Sequence, residues 1–244
     1  MSALLLAALL CCARSAAGDS LSLPPSVQDA YAHYTPASFR SGGAGLWADV
    51  SGAGRHATLS GGGLSLATDG VATAGTTRNP AASFSYVAGG AADGVTFAAL
   101  PPAPFTLCAV TRFLPGGAAQ RRVLQASGAD VAHGHLDGVA GTVRYGGVSL
   151  VATRPATVGS NTAWVGSCVR SGGADAWVNG ALIPSAALPQ AAYGAPVVNA
   201  GGFNASQGSD AWGMAELIVW SRACVPQHAN PSARAQSFPP PQAE

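Results

Sequence analysis

The sequence predicts an all-β fold, a two-sheet antiparallel β-sandwich that closes into a jelly roll. No window carries apolar residues at helical spacing with capping residues, and Gly or Pro interrupts the chain at short intervals. Short β-like runs recur instead, each bounded by Gly, Pro, Asn or Asp. About a dozen short strands spread over roughly 210 residues are typical of such a sandwich.

The β-like runs follow one another along the middle of the chain. They are rich in Val, Thr, Phe and Trp, which favour pleated strands. We predict strands at 82–88, 94–99, 105–114, 121–127, 141–145, 148–153, 162–170, 175–180 and 211–220.

Two of these runs also indicate which side chains are buried. In 105–113 the odd-numbered residues, from Phe105 to Phe113, share one face, and we expect that face to meet the core between the sheets. Residues 217–220 carry bulky side chains on both faces, which predicts a central strand. Glu216, just before them, is then an acidic residue in a strand that should be at least half buried.

The chain divides into four segments. Residues 1–18 combine an apolar run of about ten residues with a small-residue stretch, which predicts a cleaved secretory signal peptide, and this run is shorter than the ~20 residues of a membrane span. Residues 19–28 form a lead-in, and 29–224 form the jelly-roll domain. Residues 225–244 contain three consecutive prolines and no periodicity, which predicts a disordered tail. We therefore expect a secreted, extracellular or cell-surface protein without a transmembrane segment.

Charge excludes two classes of partner. Only 9% of the residues are charged and the net charge is +1, so the chain carries no electrostatic footprint for nucleic acid or for an anionic membrane.

The number of cysteines limits which disulfides can form. Cys11 and Cys12 leave with the signal peptide, and Cys108, Cys168 and Cys224 remain in an oxidising compartment. At most one intramolecular bridge can form; Cys108 with Cys168 is one such pair. The remaining thiol is free or joins another chain, which would allow oligomerisation.

Four motifs in order carry a resemblance to a known family. They are "WADVSGAGRHA" at 47–57, "FTLCAVTRF" at 105–113, "AWVGSCVRSGGADAWVNGALI" at 163–183 and "SDAWGMAELIVWSRAC" at 209–224. Together they resemble a LamG-like, concanavalin A-like lectin/glucanase jelly roll, of the secreted algal and protist type. The resemblance covers about residues 29 to 224. It implies that fold and a tendency to bind carbohydrate or protein ligands outside the cell.

The stretch 47–57 has three interpretations. Asp49 before Ser-Gly suits a tight loop in which the carboxylate accepts backbone N–H groups and Gly52 or Gly54 takes a positive φ. The resemblance implies instead a structural Ca²⁺ held by Asp49 and Glu216, since a hard cation needs six to eight oxygen ligands. A catalytic role for His56 is the third interpretation.

The stretch "HGHLDG" places His133, His135 and Asp137 at alternate positions, so that in a strand they would share one side. That side could be a polar outer face, a ligand-binding face or, with a further ligand, a zinc site. The resemblance implies that this face receives glycans.

Sugar binding needs aromatic rings beside planar polar groups. The candidates are Trp164, Trp177, Trp212, Trp220, Tyr145, Asn179 and Asp210. We expect at least three of the four tryptophans to be buried. Asp210 and Trp212, next to a turn, are the pair expected to be exposed. Asn204 begins the one N-x-S/T sequon without Pro, a glycosylation site in a secreted chain unless the motif arose by chance.

Catalytic motifs are not found. Glycoside hydrolysis usually needs two carboxylates about 5–10 Å apart, and Glu216 is the only Glu before the tail. There is no nucleophile elbow and no phosphate-binding glycine loop. We expect a non-enzymatic module that binds carbohydrate or glycoprotein glycans. The alternatives are an adhesive module that contacts proteins and, behind it, a divergent polysaccharide hydrolase or lyase.

Overall fold

The computed structural model describes most of the predicted domain. Its described residues form seventeen β-strands and one 3-10 turn, Pro36–Ser38. Among them, no helix is long and apolar enough to cross a membrane. The described residues are 29–41, 45–69, 84–145, 148–151, 162–171, 175–179, 181–184, 193–199 and 209–222. The expectations for the signal peptide, the tail, Asn204 and Cys224 lie outside these residues.

One sheet has eight antiparallel strands. They are β1 (Ala32–Tyr34), β5 (Ser65–Asp69), β6 (Phe84–Gly90), β8 (Thr106–Phe113), β13 (Val165–Arg170), β14 (Asp175–Val178), β15 (Ala181–Pro184) and β17 (Ala211–Trp220). The order across the sheet is β15-β14-β13-β8-β17-β6-β5, and β1 pairs with the second half of β17. Strand β17 thus has neighbours on both sides, which confirms the prediction of a central strand.

The other sheet has nine strands, again antiparallel. They are β2 (Phe39–Arg40), β3 (Leu46–Trp47), β4 (Ala57–Ser60), β7 (Gly94–Thr96), β9 (Arg122–Ala126), β10 (Ala129–Leu136), β11 (Val139–Tyr145), β12 (Val148–Val151) and β16 (Pro196–Val198). Their order is β12-β11-β10-β9-β16-β7-β4-β3-β2.

The two sheets pack face to face around one large apolar core, so the predicted two-sheet sandwich is confirmed. Phe105, Leu107 and Phe113 all lie in this core, as the alternation of 105–113 predicts. Trp47 lies in it too and has no exposed surface. Burying a large apolar side chain contributes about 1.5–3 kcal/mol each, which makes this layer the main source of stability.

A second, smaller apolar cluster lies on the outer face of the eight-stranded sheet. Cys108, Cys168 and Trp177 occupy neighbouring register positions on β8, β13 and β14. The cluster also contains Ile218 and Trp220, and all five side chains are buried. At this end of the sheet β8 is therefore buried on both faces.

Each predicted run contains a strand, but several strands were not predicted. The unpredicted strands are β1, β2, β3, β4, β5, β10, β15 and β16. Most are two to five residues long, too short for alternation to distinguish them from the surrounding loops.

Candidate functional site

The loop at 47–57 is organised by the Asp49 carboxylate. One oxygen accepts the backbone N–H groups of His33 and Ser51, each at 2.9 Å. The other accepts the Ser51 hydroxyl at 2.8 Å and the backbone N–H of Arg55 at 3.0 Å. Burial raises the pKa of Asp49, but these hydrogen bonds outweigh it and hold the pKa below 3.8. Gly52 takes the expected positive φ of 87°, so the turn interpretation is confirmed.

The residues present do not fit a calcium ion. Both Asp49 oxygens already accept two hydrogen bonds each. Glu216 is only 3% exposed, and one of its oxygens accepts a 2.7 Å hydrogen bond from His33 Nε2. No group of three or more His, Cys, Asp or Glu in the described parts of the chain could hold a metal. Asp49 and Glu216 are instead joined through His33, whose backbone binds one and whose imidazole binds the other.

His56 also serves the loop. It lies exposed, and its Nδ1 accepts the Asp49 backbone N–H at 3.1 Å. The imidazole therefore acts as a hydrogen-bond acceptor of the turn, which gives no support to a catalytic role.

The interpretation of His133 and His135 as an outer or ligand-binding face is wrong. Both side chains have no exposed surface and point into the space between the sheets. His133 Nε2 donates to the backbone oxygen of Ser167 at 3.2 Å, and His135 Nδ1 shares a 2.9 Å hydrogen bond with the Thr111 hydroxyl. Burial lowers the pKa of His133 to about 4 and that of His135 to about 3. They are neutral core residues.

The other expected ligand residues do not assemble either. Tyr145 and Trp212 are buried at 1% and 0% exposure, so the predicted exposure of Trp212 is wrong. Asp137 is exposed, but in the turn between β10 and β11, away from the side that the two histidines share. Asp210 accepts the backbone N–H of Ala119 at 2.7 Å and holds a loop. These residues form no common surface.

Cys108 and Cys168 lie directly opposite each other on β8 and β13 and are joined by a disulfide with a Cα–Cα distance of 4.1 Å. The bridge links two adjacent central strands, so its role is structural.

Three aromatic side chains that are each partly exposed meet on the outer face of the eight-stranded sheet. Phe84 and Tyr86 come from β6, and Trp164 immediately precedes β13. The ring centroids of Phe84 and Tyr86 lie 5.0 Å and 5.1 Å from that of Trp164. Both pairs meet edge to face, an arrangement that the ring quadrupoles favour. We call Phe84, Tyr86 and Trp164 the aromatic cluster.

An ion pair fixes the Trp164 ring. The guanidinium carbon of Arg112 lies 5.2 Å from the Trp164 ring centroid, and Arg112 Nη1 pairs with Asp69 Oδ2. The same Oδ2 accepts the indole N–H of Trp164 at 2.7 Å. Asp69 Oδ1 accepts no hydrogen bond from the described residues. The side chain of Asp69 is 31% exposed and that of Arg112 only 13%, so the carboxylate is the more accessible charge.

Strand order and one glycine bring these groups together. Strands β13, β8, β17 and β6 are consecutive neighbours, so Trp164 and Tyr86 start about three strand spacings, or ~14 Å, apart. Their rings meet above β17, where the outward position is Gly213. A Cβ on Gly213 would lie 3.0 Å from the Tyr86 ring and 3.3 Å from the Arg112 side chain. Because Gly213 has no side chain, the side chains of Tyr86 and Arg112 can both lie across β17.

Of these residues, sequence reasoning identified only Trp164, as one of four candidate tryptophans. Its prediction that at least three of the four are buried is confirmed, since Trp177, Trp212 and Trp220 are at most 3% exposed. Asp69 and Tyr86 carry no local signal, because only the strand order places them beside Trp164.

Comparisons with known proteins show similarity of fold. No family model matches the sequence, and no curated protein matches it. Domain 4 of AbnA, a GH43 extracellular arabinanase from Geobacillus stearothermophilus solved with arabinotriose, is similar at TM-score 0.54 and 12% identity, covering 82% of this chain and 96% of that domain.

Two larger proteins are similar over part of their length. A mutant Trypanosoma rangeli sialidase displaying trans-sialidase activity has TM-score 0.51 and 12% identity, covering 91% of this chain; this chain spans only 35% of the sialidase. The binding domain of Botulinum Neurotoxin DC in complex with SialylT has TM-score 0.51 and 8% identity, covering 87% of this chain and 53% of that one. The chain thus shares a β-sandwich fold with domains of carbohydrate-related proteins.

Proposed function

We propose that this protein is a non-catalytic carbohydrate-binding module that receives a saccharide at the aromatic cluster. One observation carries the proposal: side chains of β5, β6 and β8 and that of Trp164, next to β13, converge on the outer face of the sheet, where partly exposed rings lie beside an accessible carboxylate.

The chemistry of the cluster suits a sugar. The C–H face of a saccharide ring is apolar and packs against an aromatic ring, while its hydroxyls need planar acceptors and donors. Trp164 is held by Asp69 and Arg112 before any ligand arrives, so little side-chain entropy is lost on binding. Since no described residue donates to Asp69 Oδ1, this oxygen can accept a hydroxyl beside the ring.

The fold supports the same function. The AbnA domain was solved with arabinotriose and matches this chain over most of both lengths. The sandwich and the four ordered motifs together also support membership in the LamG-like, concanavalin A-like jelly rolls. The likeness in fold leaves the ligand open, so the argument for binding rests on the cluster itself.

Binding rather than catalysis is favoured by the positions of the acidic groups. Glu216 is buried against His33 and Asp49 is saturated with hydrogen bonds. Asp69 is the one carboxylate of the described residues that contacts Trp164, whereas glycoside hydrolysis generally uses two.

The proposal includes the extracellular setting. The disulfide between Cys108 and Cys168 suits an oxidising compartment, in agreement with the predicted signal peptide and the sequon at Asn204. If Cys224 links two chains, the module would be multivalent, and non-reducing gels of secreted protein with and without Cys224→Ser would show this as loss of a dimer.

The test is binding of the secreted, folded domain to a glycan array, followed by titration calorimetry with the Trp164→Ala variant. We expect the wild type to bind and Trp164→Ala to lose at least tenfold in affinity. Leu182→Ala is the matched control, because Leu182 is 46% exposed on edge strand β15 of the same sheet. Circular dichroism checks that both variants fold. Absence of binding by folded wild type, or equal binding by Trp164→Ala, would overturn the proposal.

A further inference from the structure

We infer that the ligand is a neutral saccharide and that Asp69 determines this specificity by disfavouring anionic sugars. The inference rests on the proposed function, since it concerns the same site. It goes further by naming the ligand class and the residue that selects it.

The charges at the aromatic cluster are unequally accessible. Arg112 lies against the Trp164 ring, pairs with Asp69 and donates from Nε to the Phe113 backbone oxygen at 3.4 Å. Its side chain is 13% exposed against 31% for Asp69. A ligand at the rings therefore meets a carboxylate oxygen before it meets a guanidinium.

No other described cation on this face lies close to the cluster. Arg170 is at the far end of β13, six residues from Trp164 and thus about 20 Å away along the strand. Glu216 is paired with His33 and buried. Among the residues that the structure describes, a sugar carboxylate or sulfate would find no available cation here and would face Asp69.

The hydrogen-bonding capacity indicates the same ligand class. Asp69 Oδ2 is used by Arg112 and Trp164, and no described residue donates to Oδ1, which can therefore accept from a ligand. A sugar hydroxyl supplies such a donor, and a hydrogen bond to a charged acceptor is stronger than one between neutral groups. A ligand carboxylate supplies only acceptors.

The size of the discrimination follows from Coulomb's law. Two like charges about 4 Å apart repel by ~1 kcal/mol even in bulk water, which corresponds to about a fivefold loss of affinity. The difference should shrink with added salt, because exposed charges are screened.

The experiment measures matched neutral and anionic probes by calorimetry, at low and high salt. The probes are lactose against sialyllactose and galactotriose against trigalacturonic acid, with arabinotriose as a further neutral probe. We expect the neutral member of each pair to bind at least fivefold more tightly. Asp69→Asn, which keeps an acceptor for Arg112 and Trp164, should reduce that ratio toward one. Asp137→Asn removes an exposed carboxylate from the other sheet and should leave the ratio unchanged.

The outcomes separate the two proposals. Equal or tighter binding of the anionic probes, or a ratio that Asp137→Asn reduces as much as Asp69→Asn, overturns the specificity inference. If Trp164→Ala still abolishes binding in that case, the saccharide site stands and only its ligand class is wrong. If no probe binds, or Trp164→Ala has no effect, the site itself is refuted.

Discussion

The two buried histidines make the fold sensitive to mild acid. His133 and His135 lie side by side in the inter-sheet core, where their hydrogen-bonding partners among the described residues are the backbones of Ser167 and Ala163 and the hydroxyl of Thr111. No carboxylate is among these partners to compensate an imidazolium. In the unfolded chain both imidazoles return to a pKa near 6.5. Below that pH the unfolded state therefore binds two protons that the folded state does not bind until a lower pH.

The sign and the size follow directly. Folded-state pKa values of about 4 and about 3 lie below 6.5, so stability is complete above pH 6.5 and is lost as the pH falls toward 4. Each pKa unit is worth about 1.4 kcal/mol, so between pH 7.5 and pH 5 each histidine costs about 2 kcal/mol and the pair about 4 kcal/mol. That is a large part of the roughly 5–15 kcal/mol by which domains are usually stable. The pKa of Asp49 is held below its ordinary value, so the stability that its carboxylate provides is lost only at a lower pH than this range.

Urea unfolding followed by tryptophan fluorescence at pH 7.5, 6.5 and 5.0 measures this loss. The comparison is with the double variant His133→Gln/His135→Gln, which keeps polar side chains that do not titrate. We expect the wild type to lose about 4 kcal/mol over this range and the double variant to lose little. His56→Gln, the same change at an exposed position, should follow the wild type. Equal pH dependence in the wild type and the double variant would refute the reasoning.

Three further predictions concern single contacts. Replacing Cys108 and Cys168 by Ala opens a loop with a separation of 60 residues and should cost about 4 kcal/mol of unfolding free energy relative to oxidised wild type, measured by urea titration, whereas reduced wild type should match the variant. Asp49→Ala leaves three backbone N–H groups unpaired and should cost about 3 kcal/mol or more in the same assay; a cost under about 1 kcal/mol would mean that water replaces the carboxylate. Gly213→Ala should displace Tyr86 and weaken saccharide binding severalfold in calorimetry while thermal unfolding shifts only a few degrees, and unchanged affinity would exclude Tyr86 from the site.

The sequence predicts those features that depend on neighbouring residues alone. The alternation of 105–113 identifies the core-facing side of β8 because a strand has a side-chain period of two. The Asp49 turn is predicted because its acceptor and its donors at Ser51 and Arg55 lie within six residues. His33, the remaining donor, comes from a distant strand and could not be identified.

Exposure of large side chains depends on what lies across the strand. Trp212 is adjacent to a turn and looks accessible from its neighbours. Its register partner on β6 is Gly89, and a Cβ there would lie 2.5 Å from the indole. The indole occupies the space that the glycine leaves and is fully buried. A glycine more than a hundred positions away thus decides the burial of Trp212, and no local pattern reveals it.

The aromatic cluster is hidden from the sequence for the same reason. Asp69 and Trp164 are 95 residues apart, and only the order of the eight-stranded sheet brings them within hydrogen-bonding distance. The sequence shows which tryptophans the chain contains, but the strand order decides which of them remains partly exposed.

The bulge in β17 shows how one extra residue decides what each face carries. The register shifts between Met214 and Glu216, so the strand's alternation is reversed there. Without it, Trp212 and Met214 would share the core face with Glu216, and an acidic side chain would enter the apolar layer. With it, Leu217 joins the core, while Glu216 turns to the outer face and meets His33. The same reversal leaves Gly213 facing outward before the bulge, and so the strand that completes the core also provides the bare surface on which the aromatic cluster assembles.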